Sequence, residues 1–220
     1  MKRTERLGQA TAPDGSVLTL YRHDRDFYIR VNGIELMSTR RHHSEDRLAE
    51  LACAPVADRR QVRVLIGGLG LGFTLRRALE VLSADATVVV AELVPEVVAW
   101  NREFAISEGA LDDSRVELME GDVADVIAAQ AASFDAIMLD VDNGAEAFTT
   151  SGNAGLYRAI GVEAAVRALR PAGRLAYWSA SDDAGFGDIL RDAGLRVEVN
   201  RVRAHTTSGP QHVIIVGSLR

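Results

Sequence analysis

Apolar and polar positions divide the 220 residues into an N-terminal part with strand-like runs and a longer part in which apolar runs alternate with helical periodicity. In the first part, two β-rich runs at 17–21 and 27–31 flank a polar turn. An Asn32-Gly33 pair, a strong hairpin signal, precedes a third run at 34–37. We therefore predict three short antiparallel strands. So small a sheet is not stable alone and is expected to pack on the rest of the chain or on a second subunit.

From Ser44 onward the pattern changes. Apolar residues between 48 and 56 recur at helical spacing, and short apolar runs then alternate with helix-like segments. Such alternation predicts a parallel sheet with helices on both faces. The predicted strands lie at 62–66, 87–91, 116–119, 136–139 and 175–178, and the helices lie near 73–82, 95–106, 123–130, 154–169 and 184–193.

The tail reads as two strands, at 196–202 and 212–216, around a polar turn. An antiparallel hairpin that ends an otherwise parallel sheet is typical of the class I S-adenosylmethionine-dependent methyltransferase type of fold. The predicted fold class is therefore α/β, a Rossmann-like doubly wound seven-stranded sheet with a small N-terminal antiparallel β appendage. We divide the chain into a small N-terminal β-strand region at 1–40 and a Rossmann-like domain at 41–220.

Charge and composition narrow the function classes. The net charge of −6 argues against duplex nucleic acid as a partner, because phosphate binding favours a basic face. Cys53 is the single cysteine, so an intramolecular disulfide is excluded and a cytoplasmic, reducing location is expected. We see no signal-peptide pattern, and no apolar run reaches the roughly 18 residues that a membrane span needs, so no membrane association is expected.

A glycine-rich turn, Gly68-x-Gly70-x-Gly72, follows the first predicted strand of the larger part. Glycine lets the backbone approach a ligand closely, and the following helix offers free N–H groups and a positive dipole end. The dinucleotide pattern Gly-x-Gly-x-x-Gly fails, because Phe73 or Leu75 takes its last position, and no Gly-Lys-Ser/Thr follows. The spacing therefore favours a nucleoside-binding transferase.

Two acids stand at the ends of the next two predicted strands. Glu92, which is 20 residues after Gly72, is placed to accept hydrogen bonds from both ribose hydroxyls. Asp122, in Gly121-Asp122, is placed to accept from an adenine amino group. The alternatives are a solvated strand end for Glu92 and a helix N-cap for Asp122, and Asp122 could cap and bind at once. Because ligands of open α/β sheets bind at such strand ends, we interpret all three features as one nucleoside site.

These motifs resemble the spermidine synthase family of aminopropyltransferases over most of the chain from about 28 to 180. The resemblance implies the fold described above, with decarboxylated S-adenosylmethionine or S-adenosylmethionine as co-substrate. It also implies transfer of an aminopropyl group to a small-molecule amine acceptor, a role in polyamine biosynthesis, and a homodimer. The segments that carry it are Val64-Leu65-Ile66-Gly67-Gly68, Gly72-Phe73-Thr74-Leu75-Arg76, Glu92-Leu93-Val94-Pro95-Glu96-Val97-Val98, Leu111-Asp112-Asp113-Ser114-Arg115-Val116, Gly121-Asp122, Phe134-Asp135-Ala136-Ile137-Met138-Leu139-Asp140 and Ala168-Leu169-Arg170-Pro171-Ala172-Gly173.

The resemblance also supplies the catalytic candidates. Asp140 matches the family's first loop acid and is the candidate base or amine-orienting acceptor. The second loop acid is either shifted to Asp142, which could anchor a second cationic group, or replaced by Asn143. His43-Ser44-Glu45 stands where the family shows Tyr-Gln/His-Glu, so the substrate-binding candidates are His43, Glu45 and Asn143.

Departures from the family keep other functions open. Leu71 stands where the family has an Asp that contacts the aminopropyl amine, which favours a small-molecule methyltransferase that uses S-adenosylmethionine itself. Loss of the second loop acid favours a catalytically silent nucleoside-binding or interaction protein. His42 and His43 have no Cys or carboxylate at a recognisable zinc spacing, so we expect no metal.

Overall fold

Two β-sheets and six α-helices form the part of the chain that the computed structural model describes, residues 3–140, 153–180 and 184–219. The first sheet is antiparallel, with strand order β1-β2-β3-β4. Its turn at Asn32-Gly33 has positive φ at both residues, 48° and 85°, as a two-residue hairpin requires. Its strands are β1 (Thr4–Thr11), β2 (Val17–His23), β3 (Asp26–Val31) and β4 (Ile34–Ser38).

The second sheet has seven strands in the order β10-β11-β9-β8-β5-β6-β7. Strands β5 to β9 pair in parallel, and the β10–β11 hairpin adds antiparallel strands beside β9. The Rossmann-like, class I methyltransferase type of fold that the sequence predicts is thus confirmed. The strands are β5 (Arg63–Gly67), β6 (Thr87–Glu92), β7 (Val116–Glu120), β8 (Phe134–Leu139), β9 (Leu169–Ser179), β10 (Arg196–Arg203) and β11 (Gln211–Ser218).

Helices cover both faces of this sheet, because alternate residues of its central strands point to opposite sides. In β5, Val64 and Ile66 join the cluster under α1, α2 and α3, whereas Leu65 joins the cluster under α4, α5 and α6. All three side chains are fully buried. The helices are α1 (His43–Cys53), α2 (Phe73–Val81), α3 (Pro95–Glu103), α4 (Val123–Ala128), α5 (Ala159–Ala168) and α6 (Ala184–Asp192).

The first sheet packs its apolar side against helices that cover the second sheet. Leu20 and Ile29 are buried in the same cluster as Leu48 of α1 and Trp100 of α3. This sheet has one more strand than the sequence predicts. Strand β1 carries mostly exposed polar residues and buries only Ala10, so it lacks the alternation that reveals a half-buried strand. The division at 1–40 and 41–220 stays a prediction.

Two boundaries of the later elements differ from expectation. The predicted helix at 154–169 begins later, because a 3-10 turn (Asn153–Tyr157) precedes α5. Strand β9 begins at Leu169, well before the apolar run at 175–178, since its first residues include exposed positions that carry no strand signal. Among the described residues, no helix combines the length and apolar character that a membrane crossing demands.

The contact between β1 and α3 predicts a specific stability loss. A Cβ on Gly8 of β1 would lie 2.4 Å from Nε1 of Trp100, whose ring is held in the core. We expect Gly8→Ala to lower the free energy of unfolding by about 1–3 kcal/mol, the usual cost of overpacking, as measured by urea denaturation. Gly155→Ala is the matched control, because nothing lies within 4 Å of its added methyl group. Equal stability of the two variants would contradict the packing of β1 on α3.

Candidate active site

The glycine turn between β5 and α2 has left-handed backbone at three positions. Gly68, Gly70 and Gly72 have φ values of 89°, 53° and 82°, a region that side chains other than glycine rarely adopt. Gly68 and Gly70 line a cavity at the carboxyl edge of the large sheet. Gly72 serves packing instead, since a Cβ there would lie 2.5 Å from Cβ of Ser107. The turn thus presents bare backbone to the cavity at two of the three predicted glycines.

Glu92 ties this turn to the neighbouring strand. Its carboxylate accepts hydrogen bonds from the backbone N–H groups of Leu69 and Val94, both at 2.8 Å. The side chain is only 7% exposed, so the alternative of a solvated strand end is wrong. Burial raises the pKa of Glu92, while hydrogen bonds from the backbone of Val94, Leu69, Gly70 and Leu93 oppose that rise. Glu92 also lines the cavity.

Asn101 of α3 is a supporting residue that sequence reasoning missed. Its side-chain amide donates to the carbonyl oxygens of Gly70, at 2.8 Å, and Val97, at 2.9 Å. The residue is almost fully buried, so these bonds hold the middle of the glycine turn against α3. The available signal was a polar residue on the apolar face of a predicted helix, which points to a buried hydrogen bond.

Asp122 caps α4 and also lines the cavity. Its Oδ1 accepts from the backbone N–H of Ala124 at 2.8 Å, so the N-cap interpretation is correct. The residue is partly exposed, and Gly121 and Val123 line the cavity beside it. A carboxylate has a second oxygen for a ligand, so capping and binding are compatible here.

Asp140 directly follows β8, beside the glycine turn. Its backbone N–H donates to the carbonyl of Gly67, and its Oδ2 accepts from the hydroxyl of Thr74 at 3.0 Å. Thr74 lies in the first turn of α2, so a neighbouring helix holds the side chain. The pKa of Asp140 is raised by burial, and the Thr74 hydrogen bond opposes the rise.

One cavity brings these predicted residues together. Gly68, Gly70, Glu92, Asp122 and Asp140 all line it, and its unfilled space is about 710 Å³ when the mouth open to solvent is counted. The opposite wall comes from the first sheet and is apolar throughout. A Cβ on Gly70 would lie 2.8 Å from the sulfur of Met37, so β4 reaches over the glycine turn. The residues of this wall are Ala12, Leu18, Ile29, Leu36 and Met37.

The remaining predicted residues lie elsewhere. Glu45, on α1, is close enough to Asp140 for their charges to interact, although it is not part of the cavity lining. His43 lines a separate shallow cleft between α1 and α2, together with His42 and Phe73. Asp142 and Asn143 lie outside the described residues, so their roles stay predictions.

Glu45 and Asp140 form a pair of like charges, with Asp140 in the cavity lining and Glu45 outside it. Burial raises the pKa of Glu45, and the charge of Asp140 raises it further, against the hydrogen bond from Ser44. Two neighbouring carboxyl groups do not both ionise readily, so the pair retains a proton near neutral pH. An entering cation would relieve this repulsion. In the part of the chain that is described, no three His, Cys, Asp or Glu side chains cluster as metal ligands would.

Three solved structures share this arrangement of elements. A spermidine synthase in complex with the transition-state analogue AdoDATO superposes with a TM-score of 0.79 at 17% identity, over 97% of this chain and 73% of that one. The chain has the spermidine synthase fold. The spermidine synthase from Thermotoga maritima gives 0.73 at 18% identity, over 97% and 72%. A probable spermidine synthase from Corynebacterium glutamicum gives 0.66 at 18%, over 99% and 81%.

These likenesses concern the fold. No family model matches the sequence, and no curated protein matches it. The spermidine synthase resemblance that the glycine turn and strand-end acids suggest is thus supported by three-dimensional structure at low identity. Both sheets take part in it, because the superpositions cover nearly the whole chain.

The carboxyl pair predicts an unusual pH dependence of stability. A carboxyl group whose pKa is raised by folding binds its proton more tightly when folded, so stability falls as pH rises from the ordinary pKa through the raised one. We expect Glu45→Gln to remove this loss and to raise the melting temperature at neutral pH by about 2–4 °C, the shift that about 1 kcal/mol produces in a chain of this size. Scanning calorimetry across pH measures it.

The matched control for this experiment is Glu103→Gln, at the exposed end of α3. It should leave the melting temperature unchanged at every pH. A Glu45→Gln protein that is less stable than the wild type at neutral pH would show that Glu45 is a stabilising carboxylate, against the repulsion described here.

Proposed function

We propose that the chain is a spermidine synthase-like transferase that binds decarboxylated S-adenosylmethionine, or a closely related sulfonium nucleoside, and transfers its aminopropyl group to a small-molecule amine. The observation that carries the proposal is the convergence of the glycine turn, Glu92, Asp122 and Asp140 on one cavity. Ligand sites of open α/β sheets lie at this edge, and the fold supports the same class of enzyme.

Each residue predicted to bind the nucleoside would have its own role. Gly68 and Gly70 let the donor lie against the backbone of the turn. Glu92, which lines the cavity, would accept hydrogen bonds from the ribose hydroxyls. Asp122 would accept from the adenine amino group while its Oδ1 keeps α4 capped. The apolar wall from the first sheet would exclude water from the donor.

The reaction would be an in-line displacement. The acceptor nitrogen attacks the aminopropyl carbon bonded to sulfur, so a C–N bond forms as the C–S bond breaks. The electron pair of the C–S bond goes to sulfur, which changes from a sulfonium to a neutral thioether. Before the attack, the ammonium form of the acceptor gives one proton to the carboxylate of Asp140, which frees the nitrogen lone pair. The enzyme supplies alignment of the reactants, which accounts for much of the rate in such reactions, and a proton acceptor.

The carboxyl pair supports an amine as the acceptor. Most amines carry a positive charge at neutral pH, and the Glu45 and Asp140 charges repel each other until a cation enters. Binding of a cationic acceptor would therefore be favoured by relief of that repulsion. The raised pKa of Asp140 also makes it a better proton acceptor than an ordinary aspartate.

A small-molecule methyltransferase is the second candidate. Leu71 is buried at 2% exposure, where the resemblance places the acid that contacts the aminopropyl amine. A leucine there gives the donor amine no partner, so selection for the decarboxylated donor would be weaker. Donor preference separates the two candidates.

Titration calorimetry with decarboxylated S-adenosylmethionine, S-adenosylmethionine and methylthioadenosine tests the proposed function. We expect the decarboxylated donor to bind at least about tenfold more tightly than S-adenosylmethionine, since the carboxylate of the latter would meet the Asp140 side of the cleft at a cost of about 1.4 kcal/mol or more. Incubation with diamines should then yield an aminopropyl product detected by mass spectrometry. Preference for S-adenosylmethionine and formation of a methylated product would favour the methyltransferase. If none of the three compounds bound, a catalytically silent interaction protein would be favoured.

Two substitutions should separate binding from turnover. Glu92→Ala removes a charged acceptor, worth about 1.5–3 kcal/mol, and should weaken methylthioadenosine binding by about tenfold or more. Asp140→Asn keeps an acceptor for Thr74 and should bind methylthioadenosine normally, while kcat falls by about 10²–10⁴-fold. The readouts are calorimetry and product formation, with exposed Asp58→Asn as the control for loss of one carboxylate. Full activity of Asp140→Asn would remove Asp140 from the base role.

A further inference from the structure

A buried serine joins the carboxyl pair to a histidine on the last strand. Ser44 is fully buried at the start of α1, and its hydroxyl donates to Oε2 of Glu45. Oγ of Ser44 also lies 2.9 Å from Nδ1 of His212 on β11, a residue 168 positions away in sequence. The start of α1 is fixed there because the backbone N–H of His43 donates to the carbonyl of Ala204, in the β10–β11 turn.

The His212 ring is held in one orientation. It packs edge-on against Trp178 of β9, with ring centroids 4.6 Å apart, which leaves Nδ1 directed at Ser44. The ring is partly exposed, whereas Ser44 is not. A continuous set of hydrogen-bonding groups thus leads from Glu45, beside Asp140, to a titratable side chain that reaches solvent.

This chain of groups has two complete hydrogen-bonding arrangements. When Glu45 is ionised, Ser44 donates to it and Nδ1–H of His212 donates to Ser44. When Glu45 is protonated, its O–H donates to Ser44 and Ser44 donates to a bare Nδ1, so His212 carries its proton on Nε2. A serine hydroxyl can serve both arrangements because it donates once and accepts twice. The ionisation of Glu45 therefore decides the tautomer of His212.

We propose that Ser44 and His212 form the route by which Glu45 releases its proton when a cationic amine enters the cleft, an inference that rests on the proposed function. The carboxyl proton passes to Oγ of Ser44, the Ser44 proton passes to Nδ1 of His212, and the Nε2 proton leaves to water. One proton departs, Glu45 becomes a carboxylate and His212 ends neutral. Ser44 and His212 touch neither donor nor acceptor, so they are positioning residues that act through Glu45.

The surrounding charges agree with this direction of transfer. Burial lowers the pKa of His212, and the charge of Arg41 lowers it further, so an imidazolium formed there gives its proton to water readily. Two charged groups act on Glu45: Asp140 raises its pKa and His42 lowers it. The hydrogen bond from the Ser44 hydroxyl also lowers it. Asp140 holds the proton on Glu45 until a cation arrives, and the new positive charge then reverses that preference.

The first test needs no substrate. Nitrogen-15 NMR of the ligand-free protein should show the His212 ring changing from the Nε2–H to the Nδ1–H tautomer as pH rises through the raised pKa of Glu45. Glu45→Gln and Ser44→Ala should each abolish the change, and the exposed His205 should show none in any variant. A single His212 tautomer across the whole pH range, or a change that persists in Glu45→Gln, would overturn the proposal.

The second test uses turnover. His212→Asn keeps a hydrogen-bonding group beside Ser44 but cannot exchange protons at neutral pH, so kcat should fall by about 10- to 100-fold, less than loss of a general base costs. Donor affinity should stay unchanged, and added imidazole should restore part of the rate. His205→Asn is the matched control. An unchanged kcat and pH profile in His212→Asn would contradict the route. If the wild type turns over no donor, the proposed function fails while the tautomer result still decides the inference.

Discussion

The buried carboxylate of Glu92 is the interaction on which the site depends. It accepts hydrogen bonds from Leu69 in the glycine turn and from Val94 at the start of α3. A buried charge of this kind is tolerated only when backbone donors surround it. Those donors come from two loops at the carboxyl edge of the sheet, so satisfying one charge fixes the shape of both. The glycine turn can then stay open toward a ligand without side chains of its own.

Asp140 and Glu45 are in a different situation, because two like charges lie close together and His42 offsets only part of the resulting rise in the pKa of Glu45. The energetic cost falls on the ligand-free protein, and an amine or sulfonium group would remove it. Repulsion of this kind lowers the stability of the ligand-free fold, and such losses are common at sites that bind ligands. Within the cavity, Glu92 is thus fixed by hydrogen bonds, whereas the charge of Asp140 depends on its protonation state.

The features that could be predicted from the sequence are those that depend on short segments of the chain. Apolar runs revealed the strands of the large sheet, and spacing alone put Glu92 and Asp122 at its carboxyl edge. Strand β1 escaped notice because its side chains are mostly exposed. The partners Thr74 of Asp140 and His212 of Ser44 escaped for another reason. Each contact joins side chains distant along the chain, 66 and 168 residues apart, and ordinary polar residues in helices and strands carry no signal of such pairing.

The apolar wall strengthens the electrostatic effect of the acids that line the cavity. Leu36, Met37 and the other residues that the first sheet contributes carry no charge, so they neither screen nor compensate the carboxylates across from them. An interaction between charges strengthens as water is excluded. The first sheet therefore does more than close the cavity, since its apolar side chains line the same space as the carboxyl group of Asp140. The protonation state of Asp140, which lines the cavity, therefore changes the charge that a ligand would meet there.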